Sequence, residues 1–229
     1  MTKSYFGTDG IRGRVGKGFI NPNFALKLGW AAGEFLNKNK PKNKSKNNSK
    51  IYVVIAKDTR LSGYMFEYAI ASGLTAAGVN VYLLGPMPTP AVAYFTRTFS
   101  ADLGLVISAS HNSFEDNGIK FFCADGMKLS DENELSLSKI IDEDLKCVSP
   151  DKVGKIVRID DAKGRYIEFC KSSIPPFMRL SKFKIVLDCA NGATYDIAPN
   201  SFRELGANIK VINNTPDGIN INKNCGSCY

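Results

Sequence analysis

The chain has 229 residues, 44% hydrophobic and 23% charged, which suits a soluble globular protein of one large or two smaller domains. No apolar run approaches the roughly 18–20 residues of a membrane span, and the opening Met1-Thr2-Lys3-Ser4-Tyr5-Phe6-Gly7 lacks the apolar stretch of a secretory leader, so a cytoplasmic protein without membrane contact is expected. Of the net charge of +8, six units come from Lys38, Lys40, Lys42, Lys44, Lys46 and Lys50, in a Lys/Asn/Ser-rich stretch without aromatics that suits a solvated loop rather than a specific nucleic-acid surface.

Strands and helices alternate along the chain. A helix is predicted over Phe24–Leu36 after the start signal Asn21-Pro22-Asn23. The apolar run Ile51–Ala56 has the composition of a buried parallel strand. A helix over Gly63–Ala77 ends at Gly78, and a strand over Val79–Leu84 follows. The stiff turn Gly85-Pro86-Met87-Pro88-Thr89-Pro90 leads into a helix through Phe99, then a strand over Leu103–Ile107. Ile119–Phe122 reads as a further strand and Asp131–Leu145 as a polar helix. Cys147–Arg158 reads as a linker, after which the alternation restarts: a helix over Ala162–Ser172, a strand over Phe183–Asp188, a helix over Ala193–Leu205 and a strand over Ile209–Ile212. Such alternation predicts a three-layer α/β/α fold on a mixed, mostly parallel sheet for residues 1–155, and an incomplete unit of the same kind for 156–229.

The six cysteines, at 123, 147, 170, 189, 225 and 228, read as reduced thiols, with Cys225-Gly-Ser-Cys228 an isolated pair. His111 is the single histidine, which excludes a zinc site built from several imidazoles.

Chemistry concentrates in Ile107-Ser108-Ala109-Ser110-His111-Asn112, directly after a buried strand, where open α/β sheets bind ligands. Spacing alone leaves two readings open, an exposed serine nucleophile or a polar turn that caps the next element. No Gly-x-Ser-x-Gly elbow is present, so a serine-hydrolase triad is disfavoured. Three segments bring cations toward Ser110: the glycine-rich Gly7–Gly13 with Arg12, Lys57-Asp58-Thr59-Arg60 at the end of a strand, and Asn117-Gly118-Ile119-Lys120. A phosphoryl-carrying hydroxyl needs such surroundings, because transfer is catalysed mainly by positioning and charge neutralisation.

Tyr5–Gly13, Lys57–Gly63 and Ser108–Asn112 resemble the α-D-phosphohexomutase superfamily. Asp116–Phe122, Leu187-Asp188-Cys189-Ala190-Asn191-Gly192-Ala193 and Pro216–Asn222 place the resemblance among its phosphoglucosamine mutases. The resemblance implies that Ser110 is a phosphoserine that passes its phosphoryl group to a small sugar phosphate. A bisphosphorylated intermediate, glucosamine 1,6-bisphosphate, would then return the other phosphate to the serine. The net reaction would interconvert glucosamine 6-phosphate and glucosamine 1-phosphate, toward UDP-N-acetylglucosamine and cell-wall precursors. It implies His111 beside the phosphoserine and Arg12 and Lys120 at phosphate or in proton transfer. Thr8, Asp9, Lys57, Arg60 and Asn112 would contact substrate or phosphate, and the Ser110 phosphate would be one ligand of Mg²⁺. Against the family pattern, Ser113 stands where proline is usual, and no Asp-Gly-Asp-Gly-Asp-Arg metal loop occurs. The chain is accordingly expected to be truncated, with little mutase activity alone. A glucose- or mannose-phosphate mutase and a non-catalytic remnant or binding fragment are the alternatives.

Overall fold

The computed structural model describes residues 5–7, 10–39 and 50–229; Thr8, Asp9 and most of the lysine-rich stretch, 40–49, lie outside the described residues. Strands β1 (Ile11–Arg14), β2 (Tyr52–Lys57), β3 (Asn80–Pro86), β4 (Leu103–Ile107), β5 (Asp116–Cys123) and β6 (Ile156–Arg158) form one sheet in the order β1-β5-β4-β2-β3-β6. Neighbours β4, β2, β3 and β6 run parallel, while β5 is antiparallel to both β4 and β1. The mixed, mostly parallel sheet is the one expected. Its central strands are apolar without alternation because both faces are covered: Val53–Ala56 and Leu103–Ile107 are fully buried.

Helices α1 (Pro22–Lys38), α2 (Leu61–Ala76) and α4 (Asp131–Ile141) cover one face, with Leu28, Phe66, Ile70 and Leu137 packed on Val53, Ile55, Leu105 and Ile107. The start of α1 follows from its sequence: Pro22 occupies the first turn, and the Asn21 side chain accepts the Phe24 N–H at 2.9 Å. Two glycines let α1 and α2 approach at backbone distance. A Cβ on Gly73 would fall on the Leu26 carbonyl oxygen, and one on Gly29 on the Ile70 carbonyl. Gly73→Ala is therefore expected to cost about 1–3 kcal/mol, as overpacking does. A urea midpoint unchanged from wild type would contradict this close approach.

Helix α3 (Thr89–Thr98) covers the opposite face, completing the three layers. It is joined there by α5 (Ala162–Ser172): Tyr166 and Ile167 are buried with Met87, Phe95 and Val106, and Ile197 of α6 (Ile197–Glu204) joins the same cluster. Strands β7 (Lys184–Asp188) and β8 (Asn208–Ile212) form a separate parallel pair. Their alternating burial leaves Val186 65% exposed on the outer face.

Two expectations are corrected. Cys147–Arg158 is not a linker throughout, because its last residues are β6, in parallel register with Val81–Leu83. The chain thus leaves the first sheet only after Arg158, beyond the expected division at 155/156, and α5 then shares a core with α3. Helix α6 starts at Ile197 rather than Ala193, because Ala190 and Asn191 turn the backbone through the left-handed region (φ 49° and 48°) and Gly192–Asp196 continue the turn. Among the described residues, no helix is long and apolar enough to cross a membrane.

Candidate active site

Parallel pairing of β2 with β4 sets Lys57 beside Ile107, so the loops leaving both strands lie together at the carboxyl edge of the sheet. The Asp58 N–H extends the ladder by one bond to the Ile107 carbonyl (2.9 Å). Across β4, Ser108 donates to the Gly118 carbonyl (2.9 Å), and Gly118 in turn stands opposite Arg12. Arg12, Gly118 and Ser108 are therefore level with one another on adjacent strands.

Ser110 and His111 are exposed at this edge, and Ser110 is a non-glycine residue at φ 56°. That left-handed conformation costs an L-residue of order 1–2 kcal/mol. A network rooted in buried Asp58 and Arg60 holds it there. Ser110 N–H donates to Ser108 Oγ (3.0 Å), and Ser108 Oγ donates to Asp58 Oδ2 (2.6 Å). Asp58 also accepts from the Arg60 N–H (3.0 Å) and from Arg60 Nε (2.9 Å).

Arg60 closes the network from below. Its side chain is fully buried, and Nη2 donates to the carbonyls of Ser110 and Asn112, each at 3.0 Å. Nη1 donates to the carbonyls of Ser113 and of Asp116 (3.1 Å). The fixed fork of a guanidinium suits this task, since it reaches several acceptors at once. The expected phosphate contact is thereby corrected: every nitrogen of Arg60 faces protein, and the residue shapes the loop from beneath.

Lys57 is corrected on the same ground. Its ammonium is fully buried, 2.5 Å from Glu67 Oε2 on α2 and 4.3 Å from the Tyr64 ring centroid. Burial pushes its pKa below the ordinary lysine range, against the opposing pull of Glu67.

The other expected residues fall into place differently. Arg12 and Lys120 share a sheet face, because Arg12 pairs with Gly118, two residues before Lys120 on β5. Lys120 stands opposite Val106, which belongs to the α3-side core, so both cations project on that side of the sheet; both already have partners. His111 Nδ1 lies 3.4 Å from Ser110 Oγ, beyond the range in which a base activates a hydroxyl. Asn112 turns inward, with Nδ2 on Asp116 Oδ2 (2.8 Å) and its N–H on the Ala109 carbonyl (3.1 Å), so it braces the turn. Thr8 and Asp9 lie outside the described residues.

Three participants were not foreseen. Asp58 and Ser108 sat inside motifs already singled out, and only burial reveals them as the struts of Ser110. Asn222, whose side chain also reaches the Ser110 carbonyl (2.9 Å), carried no sequence signal for this role.

Residues 3–146 match the family described as phosphoglucomutase/phosphomannomutase, alpha/beta/alpha domain I. The chain belongs to that family. It is 57% identical over all its 229 residues to a phosphoglucosamine mutase of Pseudomonas fluorescens, and 58% identical to one of Alcanivorax borkumensis. It spans about half the length of these curated relatives, 49% of each. Among solved structures, a phosphoglucomutase/phosphomannomutase family protein of Burkholderia thailandensis superposes with a TM-score of 0.75 at 28% identity, over 94% of this chain and 45% of the other. The Paramecium phosphoprotein parafusin, a phosphoglucomutase in its open form, shares the fold at a TM-score of 0.74 and 18% identity, over 93% of this chain and 44% of its own. Within this fold, the Ser110 loop is an exposed hydroxyl-bearing turn at the carboxyl edge of the sheet.

Proposed function

We propose that this chain is the phosphoryl-carrying part of a phosphoglucosamine mutase, with Ser110 as the carrier. One observation supports the reading above others. Ser110 is exposed and held in a left-handed conformation by a network rooted in buried Asp58 and Arg60, two residues beyond the Ser108 that stands level with Arg12. A turn that only capped the next element would not require four buried or half-buried partners.

In the proposed reaction, phosphorylated Ser110 meets a glucosamine phosphate. A free sugar hydroxyl loses its proton as its oxygen bonds to phosphorus, and the bond from phosphorus to Ser110 Oγ breaks. The serine oxygen leaves and is protonated, and the sugar becomes glucosamine 1,6-bisphosphate. Reversal with the other phosphate restores phosphoserine and releases the isomer, so atoms balance without a co-reactant. The backbone network fixes where Oγ stands, which is the chief protein contribution when positioning dominates catalysis. Arg12 and Lys120, on the adjoining strand face, supply positive charge toward the phosphates. His111 packs beside the phosphoserine.

A Mg²⁺ ion belongs to this proposal only through the Ser110 phosphate as one oxygen ligand. Among the described residues, no group of three or more His, Cys, Asp or Glu side chains converges. These residues do not by themselves make a site for the ion, and no step is routed through it. A small sugar phosphate is the proposed ligand and the cytoplasm the proposed compartment.

The test reads phosphoryl uptake rather than turnover, since the chain spans about half the length of its relatives. Incubated with glucosamine 1,6-bisphosphate, wild-type chain is expected to gain one phosphoryl group by intact mass, mapped to Ser110. Ser110→Ala is expected to gain none, with an unchanged melting temperature. Equal uptake by the alanine variant would refute the assignment. Faster uptake from glucose 1,6-bisphosphate would move the sugar preference to a glucose-phosphate mutase.

A further inference from the structure

We propose that Asn222 is a positioning residue for the Ser110 loop, making the geometry of the carrier conditional on docking of the segment after β8. Asn222 Nδ2 lies 2.9 Å from the Ser110 carbonyl oxygen and 3.0 Å from that of Asn112. Arg60 Nη2 lies 3.0 Å from the same two oxygens. Two NH₂ groups thus face two carbonyls in an alternating N–O–N–O arrangement. Each nitrogen has two hydrogens and each oxygen two lone pairs, so the four bonds saturate both sides. One half of this clamp is built into β2–α2. The other half comes from more than a hundred residues away.

Asn222 is presented rigidly. It is itself left-handed (φ 58°), and its N–H donates to the Ala190 carbonyl (2.9 Å). That turn is tied down by Asp188, which accepts from the Ala190 N–H (2.8 Å), the Gly226 N–H (2.9 Å) and Asn213 Nδ2 (3.0 Å). Desolvation works to raise the Asp188 pKa, but these donors outweigh it and hold the carboxyl below its ordinary range. Two further bonds fasten the loops after β7 and β8 to the residues after β2: Thr59 Oγ1 to the Asn191 carbonyl (2.5 Å), and Leu61 N–H to the Gly218 carbonyl (2.9 Å).

The consequence follows from the backbone of Ser110. Its φ of 56° is disfavoured unless the surroundings impose it. Its N–H is fixed by Ser108, and its C=O is shared between Arg60 and Asn222. Withdrawing Asn222 halves the donors on the two carbonyls that set the turn. The amide cannot be reversed in place, because its oxygen would then oppose two carbonyl oxygens. Asn222→Asp accordingly replaces attraction with repulsion at nearly constant shape, and Asn222→Gly removes the amide while keeping a residue at ease with positive φ.

The positioning claim concerns the loop itself; its catalytic consequence rests on the reading of Ser110 as phosphoryl carrier. Two measurements on the chain separate them. Amide hydrogen exchange should accelerate about tenfold or more over residues 108–116 in Asn222→Gly, as loss of two hydrogen bonds implies, and further in Asn222→Asp, while β7 and β8 exchange as in wild type. The uptake rate at saturating glucosamine 1,6-bisphosphate should fall in the same order, with the half-saturating concentration unchanged. Loop exchange unchanged in both variants, or acceleration spread evenly over residues 184–226, would overturn the proposal. If wild-type chain takes up no phosphoryl group, the function reading fails, and the exchange result still decides the role of Asn222.

Discussion

Arg60→Ala is expected to destabilise the chain by about 3–5 kcal/mol, the cost of stripping one partner from a buried ion pair, and to abolish phosphoryl uptake at Ser110. Asp58 is only 4% exposed, and in the variant its carboxylate would keep Ser108 and the backbone as donors but lose its countercharge. The carbonyls of Ser110, Asn112, Ser113 and Asp116 would each lose a donor at the same time. Arg60→Lys should recover little of this. An ammonium is a single point with three hydrogens, and it cannot span four carbonyls and a carboxylate spread around a planar fork. Urea titration read against wild type measures the first effect, and intact mass after incubation with the bisphosphate measures the second.

The same experiment discriminates between two roles for this arginine. A guanidinium that gripped phosphate from solvent would cost about 0.5 kcal/mol or less in stability when removed, and its loss would appear as weaker binding. A guanidinium that builds the loop costs stability first, and activity falls because the carrier is no longer held. A fully folded Arg60→Ala chain with weakened bisphosphate binding would restore the phosphate-contact role and contradict the buried network.

The fold was largely legible in the sequence because its central elements express one strong signal. Strands β2 and β4 are buried on both faces, so Ile51–Ala56 and Leu103–Ile107 stand out as short continuous apolar runs between turn residues. Helix α1 announces itself through Asn21-Pro22. Strand β6 was illegible for the opposite reason. It is three residues long at a sheet edge, Ile156 and Val157 are nearly half exposed, and a ladder partner 75 residues earlier leaves no local trace. In the site, spacing left the role of Ser110 open between carrier and polar turn, and only its position at the sheet edge after a buried strand was legible. The roles of Lys57 and Arg60 were not, because a sequence shows charge but not burial: both cations sit among acids, Glu67 and Asp58, that compete with any ligand. Asn222 was hidden more deeply, since asparagines abound in turns and only tertiary docking gives this one its two carbonyls.

The Lys57–Glu67 pair yields the second large effect. Lys57→Met should cost about 3–5 kcal/mol, because it strands Glu67 without its ammonium in a site from which water is excluded. Among the described residues, Glu67 Oε2 would retain only the half-exposed Arg158 at 3.6 Å, and Oε1 already lacks a hydrogen-bond partner. Glu67→Leu should be comparably damaging, leaving a buried ammonium against the Tyr64 ring without its countercharge. The double variant Lys57→Met, Glu67→Leu should nonetheless return to within about 1.5 kcal/mol of wild type, since apolar side chains of similar volume avoid the desolvation that two buried charges incur. The thermodynamic cycle would then show strong coupling between the two positions. Phosphoryl uptake by the double variant carries the functional half of the argument. Lys57 faces Glu67 on α2, on the sheet face opposite Val106 and Lys120, so a stably folded double variant should phosphorylate Ser110 at close to the wild-type rate. A double variant that folds as well as wild type yet takes up no phosphate would show that the Lys57 charge acts on the phosphoryl group after all, through a rearrangement that frees it from Glu67.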